Sequence, residues 1–170
     1  MTALLDSNVF VSAAIAARDG RPGMARWVVA IALTAQRRFE HVTSDQLLDE
    51  LRVVLERPSM LGFSGAEAYV AEVAASSTIV PSHGIPMGCR DRTDDKVIET
   101  ALNANVDFLV SEDADIHEPR VRYALEKTGI GIRKRSIRVA TVREFVAVLH
   151  ASPRFSPLIV PALPPATLAA

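Results

Sequence analysis

The sequence contains a single cysteine and no apolar run long enough to cross a membrane. Cys89 is the single cysteine among 170 residues, so an intrachain disulfide is excluded and a reducing compartment is expected. The longest strongly apolar run, residues 27–33, is far shorter than the roughly 20 residues that cross a bilayer. No basic segment precedes an apolar one at the start of the chain, as a signal peptide would require. We therefore expect a cytoplasmic protein without membrane contact.

The sequence also lacks a histidine pair typical of zinc sites, and its net charge is close to zero. The four histidines form no pair at i, i+4, the spacing that places two ligands on one helical face, and this argues against a zinc site. The formal net charge is −1, a value that neither favours nor excludes a nucleic-acid partner. Hydrophobic residues, in contrast, make up 49% of the chain. A chain of this length and composition is expected to fold as one globular domain with its own core.

The order of the predicted elements indicates an α/β fold. Short apolar runs predict five strands, at residues 3–5, 41–43, 78–80, 108–110 and 137–141. Helical patterns lie between or after these strands, at residues 9–17, 24–35, 45–55, 66–75 and 142–149, with a further one that ends at Asn105. This alternation favours a three-layer αβα sandwich around a roughly five-stranded, mostly parallel sheet.

Two segments differ from the rest in composition. Residues 1–150 are expected to form the domain, whereas residues 151–170 form a tail that contains five of the ten prolines and cannot be a continuous helix. Residues 117–138 carry seven of the 19 lysines and arginines. We interpret this basic segment as solvated charge or as a contact surface for nucleic acid.

One predicted αβ unit has acids at both of its ends. The apolar residues within 97–102 share one face of a helix, and Phe108–Val110 is a continuous apolar run, typical of a buried parallel strand. Asp95 lies at the start of the helix, and Asp113 follows the strand. In a right-handed crossover these two positions meet at the carboxyl edge of the sheet, where open α/β sheets bind ligands.

Two further carboxylates are expected at the same edge. Asp6 ends the first strand, and Glu50 lies about 100° from the centre of the apolar stripe of its helix, at the border of that stripe. Asp49 and Glu56, in contrast, face solvent on the same helix. Clustered carboxylates raise one another's pKa values, and a hard divalent cation such as Mg²⁺ or Mn²⁺ relieves that repulsion.

These motifs resemble those of a known family. Residues 5–9, 44–51, 91–96 and 110–115 are similar to the motifs of PIN-domain ribonucleases, most closely of the bacterial branch that supplies the toxin of toxin–antitoxin pairs. The resemblance extends over roughly residues 3–150. It implies an acidic metal-binding quartet, formed by Asp6, Glu50, Asp95 and Asp113. It also implies supporting polar residues, namely Asn8, Ser111, Asp115 and Asp94.

The resemblance further implies a function and partners. The expected activity is Mg²⁺- or Mn²⁺-dependent endoribonucleolytic cleavage of RNA with one or two ions, by a toxin of a type II pair that forms a homodimer or a higher homo-oligomer. A small antitoxin protein would fill the acidic groove. Because the acidic site repels phosphates, basic residues must hold the RNA around it. The candidates are Arg90, Arg92, Arg133, Lys134 and Arg135.

Three alternatives remain at this point. The first is a housekeeping RNA-processing nuclease of the same family, and the second is an inactive PIN module used for assembly, which should lack one of the four acids. The third is a phosphohydrolase similar to the haloacid dehalogenases, which needs a second aspartate two residues after the first. Asn8 stands at that position, which argues against the third alternative.

Overall fold

The computed structural model describes residues 1–34, 38–87, 92, 94–127 and 136–151. The strands are β1 (Thr2–Leu5), β2 (Glu40–Thr43), β3 (Thr78–Ile79), β4 (Phe108–Val110) and β5 (Arg138–Ala140). The helices are α1 (Ser7–Arg18), α2 (Met24–Leu33), α3 (Asp45–Leu55), α4 (Gly62–Ala75), α5 (Asp95–Ala104), α6 (Pro119–Lys127) and α7 (Val142–Ala151). The predicted tail from residue 152 onward lies outside the described residues.

The five strands form one sheet in the order β3-β2-β1-β4-β5, and every neighbouring pair is parallel. The predicted αβα sandwich is therefore confirmed. The chain builds the sheet outward from β1 on one side with β2 and β3, and then on the other side with β4 and β5. This change of direction creates a crevice between the carboxyl ends of β1 and β4, the usual position of a ligand site in such sheets.

Side chains of the central strand alternate between two apolar clusters. Ala3 and Leu5 belong to a cluster with residues of α1, α2 and α7, whereas Leu4 belongs to a second cluster with residues of α5 and α6. Helices thus cover both faces of the sheet, which agrees with the largely apolar sequences of the two central strands, β1 and β4. Within the described residues, no helix combines the length and the apolar composition needed to cross a membrane.

The structure differs from the sequence-based elements most clearly at three helices. Helix α4 begins at Gly62 rather than at the predicted residue 66. Helix α6 was not predicted, because its apolar residues Val121 and Leu125 are embedded in the basic segment; the structure packs both in the second cluster. Helix α2 was predicted to reach residue 35, but Thr34 has extended backbone angles (φ −87°, ψ 153°), so the helix ends at Leu33.

Helix ends use both predicted and unexpected caps. Asn105 has left-handed angles (φ 48°, ψ 50°) after α5, as predicted for its role as a helix stop. At α7, Thr141 and Glu144 form a capping box: Glu144 accepts a bond from the Thr141 N–H at 2.8 Å, and the Glu144 N–H donates to the Thr141 hydroxyl at 3.2 Å. The T-x-x-E spacing is the sequence signal for this motif.

A buried carboxylate organises the loop after β3. Glu99 on α5 is 1% exposed and accepts bonds from the backbone N–H groups of residues 83–85 at 2.7, 2.8 and 3.0 Å and from the Ser82 hydroxyl at 3.1 Å. Burial raises the pKa of Glu99, but these four hydrogen bonds outweigh it and hold the pKa below its usual value. Glu99 thereby ties the loop to the helix that begins at Asp95.

We expect Glu99→Gln to lower the free energy of unfolding by about 1–3 kcal/mol. Both oxygens of Glu99 accept N–H donors, so either orientation of the amide places its NH₂ group against at least one of them. Because the folded-state pKa is lowered, this stabilisation is present above the unfolded-state pKa and is lost as the pH falls through the folded-state value. Urea unfolding at neutral pH and at successively more acidic pH measures both effects.

Glu126→Gln on the exposed face of α6 is the matched control, and it should leave the free energy of unfolding nearly unchanged. An unaltered stability of Glu99→Gln at neutral pH would contradict the structural role assigned to Glu99.

Candidate metal centre

The carboxylate of Asp6 is held at the crevice between β1 and β4. Its Oδ2 atom accepts a bond from the Ser111 hydroxyl at 2.6 Å and one from Asn8 Nδ2 at 2.8 Å. The backbone brings these residues together, because Asp6 follows β1, Ser111 follows β4, and the Asp6 N–H donates to the Val110 carbonyl at 2.9 Å. The structure thus brings three of the predicted site residues into contact, and the bonds from Asn8 and Ser111 fix the orientation of the Asp6 carboxylate.

Three further carboxylates converge beside this group. Oxygen atoms of Asp94, Asp113 and Asp115 all lie within 4.8 Å of one another, and we refer to these residues as the three-carboxylate group. The loop after β4 holds two of them: the Asp113 N–H donates to Ser111 Oγ at 3.0 Å, and the Asp115 N–H donates to Asp113 Oδ1 at 2.9 Å. Convergent carboxylate oxygens are the donor set that Mg²⁺ and Mn²⁺ prefer.

A histidine that the sequence analysis did not select supports the same loop. His117 Nε2 lies 2.7 Å from the Ser111 carbonyl oxygen, and the His117 N–H donates to the Asp113 carbonyl at 3.3 Å. These contacts close the loop between residues 111 and 117. The six-residue spacing between His117 and Ser111 follows no local motif, so only the folded loop reveals it.

The two adjacent acids at α5 are placed differently relative to the three-carboxylate group. We assigned Asp95 to the metal and Asp94 to a supporting role, but the three-carboxylate group contains Asp94. Asp95 is 7% exposed in the first turn of the helix. Consecutive helical positions differ by about 100° in direction, so neighbouring carboxylates cannot be assumed to share one site. The choice between them stays a prediction.

Glu50 reaches the same region from α3 and has a cationic partner. Its Oε2 atom lies 2.8 Å from Lys96 Nζ, and the two side chains are 34% and 23% exposed. The border position predicted for Glu50 on its helix agrees with this half-buried location. Within the described residues, however, Glu50 is not part of the three-carboxylate group.

Burial and neighbouring charges raise the pKa of Asp6. Burial is the largest cause, and the negative charges of Glu50 and Asp113 act in the same direction. The hydrogen bonds from Ser111 and from the Ser7 backbone lower the pKa, but by less than the other causes raise it. Holding Asp6 ionised therefore costs free energy in the metal-free protein, and a bound cation would reverse that cost.

The cations proposed to hold RNA are only partly within the described residues. Arg92 is exposed, whereas Arg90, Arg133, Lys134 and Arg135 lie outside the described residues. The sequence analysis did not single out Arg21 or Arg143. Arg21 lines a groove of about 560 Å³ that also touches Asn8 and Glu50, and Arg143 lines a second depression of about 470 Å³.

The comparisons with known proteins agree with this geometry. A family model described as PIN domain matches residues 2–115, a range that includes Asp6, Glu50 and the three-carboxylate group. No curated protein and no solved structure matches the chain. The matched range ends before α6, so β5 and α7 complete the sheet and its covering layer outside that range.

We expect Asp6→Asn, studied in EDTA at neutral pH, to melt at the same temperature as the wild type or up to a few degrees above it. The asparagine side-chain oxygen can accept both bonds that end on Asp6 Oδ2. The raised folded-state pKa of Asp6 means that stability declines as the pH rises from the unfolded-state pKa, about 3.9, through the folded-state value. The difference in melting temperature between Asp6→Asn and the wild type should therefore vanish at acidic pH, where Asp6 is protonated. Differential scanning calorimetry across this pH range checks both statements.

Asp49→Asn is the matched control, because Asp49 lies on the solvent-exposed side of α3 and should show no comparable gain. A clear loss of stability in Asp6→Asn would mean that the negative charge of Asp6 contributes to folding without metal, contrary to this interpretation.

Proposed function

The chain belongs to the PIN-domain family, and on that premise we propose that it is a metal-dependent endoribonuclease that hydrolyses RNA phosphodiester bonds. PIN domains are generally metal-dependent nucleases. The observation that carries the proposal is the three-carboxylate group, beside a buried aspartate that hydrogen bonds hold in place. Both lie at the carboxyl edge of β1 and β4, the position expected for a site in this type of sheet.

The residues present fit a hard divalent cation. Asp94, Asp113 and Asp115 would hold it, with Asp6 as a further donor and Asp95 as the alternative to Asp94. When bound, Mg²⁺ or Mn²⁺ would supply a nucleophilic water at neutral pH and would stabilise negative charge on the phosphoryl oxygens. Among the described residues, the group contains carboxylates and no sulfur or imidazole donor, a donor set that suits Mg²⁺ or Mn²⁺ better than zinc.

The protein groups around the ion would orient the carboxylates and bind the RNA. Ser111 and Asn8 keep Asp6 in one orientation, which limits the reorganisation needed when a cation or a phosphate arrives. RNA phosphates are repelled by the acids, so cations at the rim must provide affinity. Exposed Arg92 and groove-lining Arg21 are the candidates for that contact, although Arg21 is also paired with Asp19 at 2.8 Å.

We also propose that the nuclease is the toxin of a type II toxin–antitoxin pair. Support comes from the resemblance of residues 5–9 and 44–51 to bacterial toxins, and from the open groove beside Asn8 and Glu50. This groove provides space in which an antitoxin peptide could contact the acidic edge. A housekeeping RNA-processing nuclease is the alternative, and a small partner gene immediately upstream would favour the toxin.

Purified protein is expected to cleave a mixed RNA pool in Mg²⁺ or Mn²⁺ and to lose this activity in EDTA. Asp6→Asn should reduce the cleavage rate by at least about 10²-fold, because it removes one charge from the proposed metal centre without changing its shape. Gel analysis of end-labelled RNA measures the rate, with Asp49→Asn as the matched control that keeps wild-type activity.

Metal-independent cleavage, or equal rates for wild type and Asp6→Asn, would contradict the proposed nuclease site. Metal binding without cleavage of any RNA in the pool would point to narrow substrate specificity. Absence of both metal binding and cleavage would favour the inactive assembly module.

The choice between Asp94 and Asp95 can be made by metal affinity. We expect Asp94→Asn to weaken Mn²⁺ binding on the order of tenfold or more, because the three-carboxylate group contains Asp94. Asp95→Asn should have the smaller effect. Isothermal titration calorimetry of the two matched variants gives this comparison, and a larger loss in Asp95→Asn would restore the assignment made from the sequence.

A further inference from the structure

Lys96 is a cation located inside the acidic edge of the sheet. It is the second residue of α5, and its Nζ atom lies 2.8 Å from Oε2 of Glu50. The Lys96 side chain is only 23% exposed, although lysines are mostly found fully accessible on protein surfaces. The fold therefore places the Lys96 ammonium group next to the Glu50 carboxylate rather than in solvent.

The stability of α5 does not account for this position. The first turn of a helix carries partial positive charge, so a lysine there is electrostatically unfavourable. A half-exposed ion pair between two helices contributes little to stability. An explanation for Lys96 must therefore come from the carboxylates around it.

The acids of the edge fall into two parts. Asp94, Asp113 and Asp115 form the three-carboxylate group, whereas Glu50 lies apart from that group and pairs with Lys96. Asp6 is close enough to both parts for the charges of Glu50 and Asp113 to act on it. The part at Glu50 thus already contains a positive charge, that of Lys96. The three-carboxylate group is suited to binding a divalent cation.

We propose that the Lys96 ammonium group occupies the position that a second divalent cation would take beside Glu50. The acidic edge then binds a single divalent ion, and that ion lies at the three-carboxylate group. This inference rests on the proposed function, since it assigns the number of ions at the same site. An ion approaching Glu50 would meet an ammonium 2.8 Å from the carboxylate and would be repelled by it. Removing the ammonium leaves Glu50 available as an oxygen ligand.

The test counts Mn²⁺ ions bound by the full chain without RNA, after the protein has been stripped with EDTA and dialysed. Free Mn²⁺ is quantified by electron paramagnetic resonance during the titration. We expect one bound ion for the wild type and for Lys96→Arg, which keeps the charge. We expect two bound ions for Lys96→Met, which removes the charge but keeps an unbranched side chain.

Two further variants separate the charge effect from other effects. Lys127→Met removes a lysine from exposed α6 and should still bind one ion. Glu50→Gln introduced into Lys96→Met should return the count from two ions to one, because the second ion depends on that carboxylate. Circular dichroism and thermal unfolding establish that each variant is folded, and Lys96→Gln replaces Lys96→Met if the latter does not fold.

The possible results are distinguishable. Two ions bound by the wild type would overturn the role of Lys96 and leave the nuclease proposal intact. One ion bound by Lys96→Met, with the wild-type affinity, would also overturn it and would make the pair with Glu50 a structural contact only. No ion bound by the wild type would contradict the proposed metal-dependent function itself.

Discussion

The hydrogen bond between the Ser111 hydroxyl and Asp6 Oδ2, at 2.6 Å, is the contact on which the acidic edge depends. It joins the ends of β1 and β4, the two strands that border the crevice of the sheet. Asn8 adds a second bond to the same oxygen, and the Asp113 N–H donates to the same serine hydroxyl. Four residues from two distant segments are therefore held in one orientation by a single buried hydroxyl group and its neighbours.

The carboxylates discussed above are stabilised in different ways. Backbone N–H groups satisfy Glu99, which keeps its charge without any cation. Lys96 balances Glu50, and a hydroxyl and an amide hold Asp6. A divalent ion is proposed to serve the three-carboxylate group. The comparison shows why carboxylates alone do not identify a site: Glu99 is the most buried of these acids, and its contacts are those of a structural anchor.

The sequence was sufficient to predict which residues lie at the carboxyl ends of the strands. It was not sufficient to predict which of two adjacent acids at the start of a helix faces the site. Asp6 and Ser111 follow short apolar strands, and parallel strands that pair must present their carboxyl ends at one edge. Asp94 and Asp95 lie side by side at the start of the same helix, and their directions differ by about 100°. Which of them faces the site depends on how α5 packs against the sheet, including the anchor at Glu99. Helix α6 was missed for a related reason, since only Val121 and Leu125 mark its buried face among charged neighbours.

The sequence by itself determined the αβα architecture, the parallel sheet, the stop of α5 at Asn105 and the edge at which the acids meet. These features follow from local periodicity, cap chemistry and the handedness of crossovers, all of which act over short distances along the chain. The tertiary structure alone decided the strand order, the inclusion of Asp94 among the three carboxylates and the pairing of Lys96 with Glu50. Those outcomes depend on distances between segments that are far apart in sequence, and on the burial that follows from packing two helical layers on one sheet.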